Sequence, residues 1–213
     1  MNLNDLVLFD RLEVIRNIIK SYGEDKFYIS FSGGKDSTVL HYIIDEALPE
    51  NKIPRVYINT GIEYTDILKY VRELQKKDNR IEIVNAGVHI PSMLKEKGYP
   101  FKSKEHSRKL NIYQNSGNTK AVERYLSGLR EDGSLSQFAC PKCLMYQFNS
   151  DFHIKISDKC CDELKKKTAH RYEKESGRTI SMLGLRTAEG GNEPIKKDVL
   201  CLIQTTLLNV LSR

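Results

Sequence analysis

The sequence predicts an α/β protein of three layers, α/β/α, around a mostly parallel five-stranded sheet. Three observations predict it. Short runs rich in β-branched and aromatic residues recur along the chain, and segments with helical apolar spacing separate them. The glycines, hydroxyls and paired charges collect in the loops that follow the strands. Strands alternating with helices imply βαβ crossovers and hence a parallel sheet covered on both faces. Such sheets bind ligands outside the carboxyl ends of their strands. Function is therefore expected in loops 32–37, 59–64, 86–109, 158–161 and 186–191.

The elements follow in order. The N-terminus "MNLNDLVLFDRLEVIRNIIK" is apolar but interrupted by Asp5, Asp10, Arg11 and Glu13, which suits an amphipathic helix rather than a signal peptide. "KFYISF" (Lys26 to Phe31) is the first strand, followed by a helix from about Ser37 to Ala47. "IPRVYIN" (Ile53 to Asn59) is the second, followed by a helix from about Thr65 to Lys77. "RIEIVN" (Arg80 to Asn85) is the third and precedes a basic, irregular region. "FHIKIS" (Phe152 to Ser157) reads as the fourth strand, before a short lysine-rich helix. "TISMLGL" (Thr179 to Leu185) closes the series.

A length of 213 residues favours one domain over 1–213, with its core from about 25 to 191 and an atypical segment at 192–213. The C-terminal run "VLCLIQTTLLNVLSR" is too short to span a bilayer, so no membrane association and a cytoplasmic location are expected. A net charge of +6 suits an anionic small molecule, a nucleic acid or a merely solvated basic surface.

The loop "SFSGGKDS" carries the most chemistry. Gly33 and Gly34 permit positive φ and close approach of backbone to ligand. Ser32 and Ser37 supply hydroxyls, Lys35 a positive charge, and the following helix its N-terminal amides, which together make an anion site. Asp36 suits such a site only if it caps the helix, holds Mg²⁺ or orients the lysine. The Walker A pattern does not fit, because Asp36 follows Lys35 and Ile29 stands where the first glycine belongs. A tight βα turn with a Ser or Asp cap is the plain alternative.

"SGGKDS" resembles the PP-loop of the adenine nucleotide alpha-hydrolase-like superfamily, which includes ATP pyrophosphatases and the phosphoadenosine phosphosulfate (PAPS) reductase family. The resemblance implies a Rossmann-like fold and an adenine nucleotide, PAPS, APS or ATP, held through its phosphates by Ser32, Gly33, Gly34, Lys35, Asp36 and Ser37. "INTGIEYTDILKYV" (Ile58 to Val71) resembles the family's "DTG…PET" segment. Thr60 and Gly61 match, and Asn59 stands in place of the usual Asp. "GYPFKSKEHSRKLN" (Gly98 to Asn111) resembles the segment before the substrate pocket, where Arg108 would grip phosphate or sulfate oxygens. "MLGLRTAEGG" (Met182 to Gly191) resembles "GxRxxES". It implies that Arg186 meets the reacting end and Glu189 orients it, while Gly190 replaces the usual serine. Lys35, Asp36 and Arg186 are thus the expected catalytic residues.

Four cysteines stand close together. "CPKC" gives Cys140 and Cys143, and after sixteen residues come the adjacent Cys160 and Cys161. That spacing falls in the zinc-ribbon range, although a vicinal pair is unusual for one tetrahedral zinc ion. A [4Fe-4S] cluster, reduced thiols and core cysteines fit as well. In the APS-using reductases that this resembles, the CxxC follows the vicinal pair; here it precedes it. "SDKCCDELKKK" itself resembles the family's loop after the fourth strand.

PAPS reductases work with a cysteine in a C-terminal "ECG(I/L)H" segment, and none occurs in these 213 residues. Beyond Gly191 the resemblance ends, and the last twenty or so residues are expected to form a substitute helix. Cys201, between Leu200 and Leu202, is expected to be an inert packing residue. Two reactions stay open: thiol-dependent reduction of a phosphosulfate, with a thiol electron donor, and ATP-driven adenylation with loss of pyrophosphate, as in sulfur-inserting relatives that act on nucleic acid. An inactive nucleotide-binding module is the remaining alternative.

Overall fold

The computed structural model describes residues 3–184 and 199–201, which pack as two compact units. The first unit is drawn from residues 1–86 and 168–213, the second from residues 87–167.

The first unit holds the sheet. Its strands are β1 (Phe27–Ser30), β2 (Arg55–Asn59), β3 (Ile81–Asn85), β4 (Ile180–Leu183) and β5 (Val199–Cys201). They lie in the order β3-β2-β1-β4-β5, and every pair is parallel. The α/β class and parallel pairing are as the sequence predicts, but only four of the five predicted strands belong to the sheet. "FHIKIS" lies in the second unit and makes only an isolated bridge, between Ile156 and Tyr99. Its backbone is satisfied by side chains instead. Asn111 donates to the Ile156 carbonyl at 3.0 Å, Gln114 donates to the Ile154 carbonyl at 2.7 Å, and the Gln114 oxygen accepts from Ile156 N–H at 3.0 Å. The fifth strand is β5, in the stretch expected to be helical, where Val199, Leu200 and Cys201 pair with Ser181, Met182 and Leu183.

Register decides which side chains face which helices. Phe27, Ile29 and Phe31 share one face with Arg55 and Tyr57, Ile81 and Ile83, and Ile180 and Met182, because these residues are paired partners or stand two apart. Against that face pack α1 (Leu3–Tyr22), through Leu12, Ile15 and Ile19, and α2 (Lys35–Ala47), through Leu40, Ile43, Ile44 and Ala47. Helix α3 (Thr65–Lys77) adds Ile67, Leu68, Val71 and Leu74, which recur at helical spacing, over Phe31, Tyr57 and Ile81. The opposite face shows Tyr28, Val56 and Val84, and α7 (Lys167–Ser176) covers it with Tyr172. The Tyr172 ring meets the Tyr28 ring edge-on, 5.4 Å between centroids.

Helix α2 is fastened to β2 and β3 by a charge network. Arg55, 0% exposed, donates to Asp45 at 2.6 Å, to His41 Nδ1 at 3.0 Å and to Asn51 at 2.8 Å. Arg80 donates to both oxygens of Asp45, at 2.7 and 2.9 Å, and to Asp78 at 2.8 Å. Two carboxylates thus face two guanidiniums, and the buried charge is balanced. His41, Asp45 and Asp78 have ligand atoms within 4.8 Å of one another, the closeness of a metal site, but the two arginines already neutralise these carboxylates.

Burial, and then the charge of Arg55, lowers the His41 pKa, and His41 accepts from Arg55 as the neutral imidazole. Burial tends to raise the pKa of Asp45 and Asp78. Hydrogen bonds from Arg80, joined at Asp45 by one from Asn51, act together with the charges of Arg55 and Arg80 to outweigh it, so both carboxyls lie below the ordinary range. The sign of the pH dependence follows. Below the unfolded histidine pKa of about 6.5 the unfolded chain takes up a proton that folded His41 refuses. Below about 3.9 the unfolded carboxyls protonate before the folded ones. Melting temperature is therefore expected to fall in two steps on acidification. A His41→Gln variant should lose the upper step and keep the lower one, and thermal melts from pH 8 to pH 3 read both.

The second unit is mostly helical. Where residues 86–109 read as irregular, they form α4 (Ile90–Lys97), with Pro91 in its first turn, and the start of α5 (Lys104–Ser116). Ser103 caps α5 by accepting from the His106 N–H at 3.1 Å. Helix α6 (Lys120–Ser127) and a 3₁₀ helix (Lys142–Phe148) complete a core of Leu110, Val122, Tyr125, Cys140, Phe148 and Ile156. Buried His106 lies within it, 2.9 Å from the Tyr125 hydroxyl and 2.8 Å from Gln147 Oε1. Since Gln147 Oε1 only accepts, His106 donates through Nε2 and accepts from Tyr125. Burial pushes the Tyr125 pKa up to about 12, so its hydroxyl stays protonated and can donate.

Candidate functional site

Strand order locates the site. From β1 the chain moves through β2 to β3 on one side, and then returns to place β4 on the other side of β1. The order reverses between β1 and β4, and that reversal is where an open parallel sheet leaves a crevice at its carboxyl end. The loop Ser32–Ser37 leaves β1 there.

The loop is shaped by its own hydroxyls. Ser32 and Ser37 Oγ lie 3.0 Å apart, and Ser37 Oγ donates to the Gly34 carbonyl at 2.9 Å while accepting from Ser32 N–H at 3.2 Å. Gly33 has φ +72°, which favours glycine, and a Cβ there would crowd Ile67 and Val71 at 3.1 Å. Gly34 occupies the N-cap of α2 and brings no side-chain cap. The first amides of the helix have no intrahelical partner. Lys35 is exposed and makes no hydrogen bond or ion pair among the described residues. Uncapped amides, a helix dipole and one cation suit a phosphate group.

Strand β4 closes the other side. Gly184, directly after β4, has no room for a side chain: a Cβ would sit 2.6 Å from the Asp36 carbonyl oxygen and 3.1 Å from Ser37 N. This glycine was missed as a site residue. A glycine at the end of a strand is the signal for such a backbone approach.

The loop after β2 is also preorganised. Thr60, buried, donates from N–H and Oγ1 to the two oxygens of Glu63, at 3.1 and 2.6 Å. Gly61 has φ +82° and donates to Asn59 Oδ1 at 3.2 Å, while Asn59 Nδ2 donates to Asn85 at 2.9 Å. Thr60 and Gly61 therefore set the shape of this loop, and the Thr60 hydroxyl proton is already given to Glu63.

Arg108 is in the second unit, exposed and 3.2 Å from Glu105. The four cysteines are in that unit too. Cys140 is buried and Cys143 exposed; burial first, then the neighbouring Cys143, raises the Cys140 pKa. Cys160 and Cys161 are half-buried, and burial likewise raises Cys160. Sulfurs on one tetrahedral zinc ion stand about 3.8 Å apart, given Zn–S bonds of about 2.3 Å. Among the described residues no three of the four cysteine sulfurs come within 4.8 Å of one another. This arrangement does not fit a single zinc ion. Arg186 and Glu189 lie outside the described residues.

The sequence model of the phosphoadenosine phosphosulfate reductase domain matches residues 26–201. The chain belongs to the PAPS reductase domain family. The PP-loop superfamily follows from that membership, and the family match spans both compact units. Two curated relatives match shorter stretches. An uncharacterised protein of Methanocaldococcus jannaschii is 32% identical over 103 residues, covering 44% of this chain and 25% of the relative. A glutamine-hydrolysing GMP synthase of Thermosipho africanus is 34% identical over 84 residues, covering 39% of this chain and 16% of the relative. The chain thus spans a quarter or less of either relative's length. Among solved structures, a PAPS reductase of Candida auris in a phosphate complex has a TM-score of 0.47 at 15% identity, covering 92% of this chain and 72% of that one. Among the described residues of this PAPS reductase-family chain, no helix is long and apolar enough to cross a membrane.

Proposed function

We propose that this chain binds an adenine nucleotide by its phosphates on the loop Ser32–Ser37 and acts on it in sulfur metabolism or sulfur transfer. The observation that carries the reading is the uncapped N-terminus of α2, set at the strand-order reversal behind Gly33 and beside Lys35. Charge that develops on phosphate oxygens in a transition state would meet fixed amides and one ammonium group. Asp36, in the first turn of α2, is the residue to hold Mg²⁺, which would offset phosphate charge. Arg186 and Glu189 keep the roles the family pattern gives them, at the anionic end of the substrate. Arg108 is the further candidate for its oxygens.

With PAPS or APS, a dithiol donor would supply two electrons and leave as the disulfide, while the sulfur–oxygen bond to phosphate breaks and sulfite departs. The 84-residue stretch shared with a GMP synthase, a protein outside the reductases, favours a second reading. That reading is ATP pyrophosphatase chemistry, in which a substrate oxygen is adenylated and pyrophosphate leaves.

Calorimetric titration with ATP, APS and PAPS tests the proposal and separates the two readings. Wild type is expected to bind one of them, and Lys35→Ala to weaken that nucleotide by about tenfold, the loss of one charge-assisted contact. If none of the three binds, the nucleotide site is wrong.

A further inference from the structure

The division into units exposes an uneven charge. Residues 87–167 contain 15 of the 34 lysines and arginines but 9 of the 28 acidic residues, a formal charge of +6. The rest of the chain holds 19 of each sign and is neutral, so the whole net charge belongs to the second unit.

Exposed rings accompany the charge. Phe101 is 40% exposed and Tyr146 57% exposed, although both are tied to the buried His106. The Phe101 ring centroid lies 5.9 Å from the His106 ring; His106 binds Gln147, and Gln147 Nε2 donates to the Tyr146 hydroxyl at 3.3 Å. Segments 99–109 and 138–147 are thus held together through one buried imidazole. The turn that follows Phe101 is closed by its own hydrogen bonds. Ser103 N–H donates to the Phe101 carbonyl at 2.7 Å, and the Ser107 hydroxyl bonds both the Phe101 carbonyl, at 2.9 Å, and its N–H, at 2.8 Å. At the tip of this turn is exposed Lys102, with φ +58°, the one non-glycine residue in the left-handed region among the described residues. A lysine there is disfavoured and persists because the turn over-determines it. Lys104 and Lys142, both exposed, lie within the two segments.

We infer that the second unit binds single-stranded nucleic acid, with Phe101 and Tyr146 stacking on bases and Lys102, Lys104 and Lys142 meeting phosphates. Exposed rings interleaved with cations on a hydrogen-bonded turn are what sequence-tolerant single-strand binding uses. An acidic protein surface would call on the cations and leave the rings idle. The inference is independent of what the PP-loop holds.

The test is fluorescence anisotropy with a labelled oligothymidylate of about 20 nucleotides, titrated at about 50 mM salt and upward. Wild type is expected to bind, with affinity falling steeply as salt rises. Phe101→Ala and Tyr146→Ala should each weaken binding about 5- to 100-fold, the usual worth of one stacked base. Phe101→Leu and Tyr146→Leu keep the apolar bulk and should weaken it similarly, which separates a lost stack from a lost fold. The triple change Lys102→Glu, Lys104→Glu and Lys142→Glu should remove binding. Three results would overturn the inference: no binding by wild type, ring variants that bind as wild type does, or displacement of the oligonucleotide by excess ATP, which would put it on the PP-loop. Polyglutamate that competes equally while the ring variants are unaffected would point to an acidic protein instead, and overturns it too.

Discussion

Gly184→Val is expected to abolish nucleotide binding while leaving a folded protein. Even a methyl group at this position would stand 2.6 Å from the Asp36 carbonyl oxygen and 2.8 Å from its carbon, and those are backbone atoms of the first turn of α2. They cannot rotate away as a side-chain tip would. The end of β4 and the start of α2 must separate, at about 1–3 kcal/mol of strain. The separation carries the loop's amides with it. A displacement of the order of 1 Å in a positioned site costs about a hundredfold, so titration should find no nucleotide binding at concentrations that saturate wild type. Circular dichroism should find native secondary structure. A Gly184→Val protein that binds as wild type does would remove β4 from the site.

Asp45→Ala should be the most damaging single change to stability. It leaves Arg55, wholly buried, without a carboxylate and takes both Asp45 contacts from Arg80. Removing one partner of a buried pair costs about 3–5 kcal/mol, and the lower end applies because the Asp45 side chain keeps 27% exposure. A loss of about 3 kcal/mol would lower the melting temperature by roughly 6–12 °C for a chain of this size. Asp45→Ala combined with Arg55→Met should recover part of it, because the uncompensated charge then goes with its partner. Chemical denaturation of the two variants measures the recovery.

Much of the first unit was legible in its sequence because the code there is local. "KFYISF", "IPRVYIN" and "RIEIVN" are β-branched runs ending at turn residues, and the spacing of Ile67, Val71 and Leu74 announces a helix. The PP-loop residues declare themselves for the same reason, since six neighbours carry the glycines, hydroxyls and charges. The second unit hid its structure because its backbone partners are distant side chains. Nothing in "FHIKIS" says that Asn111 and Gln114 will take the hydrogen bonds a neighbouring strand would have taken. The His41, Asp45, Arg55, Asp78 and Arg80 network was missed likewise: only the i,i+4 pair His41 and Asp45 is local, and the two arginines arrive from β2 and the approach to β3.

The placing of β4 against β1 also has a kinetic consequence. Phe27 pairs with Ile180, across the whole of the second unit, whereas β1, β2 and β3 are joined by short crossovers. During synthesis the half-sheet with α1, α2 and α3 can assemble early, since its contacts lie close in sequence. The contact that closes β4 against the loop Ser32–Ser37 has a high contact order and bears the entropy of the longest loop closure. Shortening that excursion by circular permutation within residues 87–167 would bring β4 ahead of β1 in the chain. Refolding rate, rather than equilibrium stability, is where the difference would show.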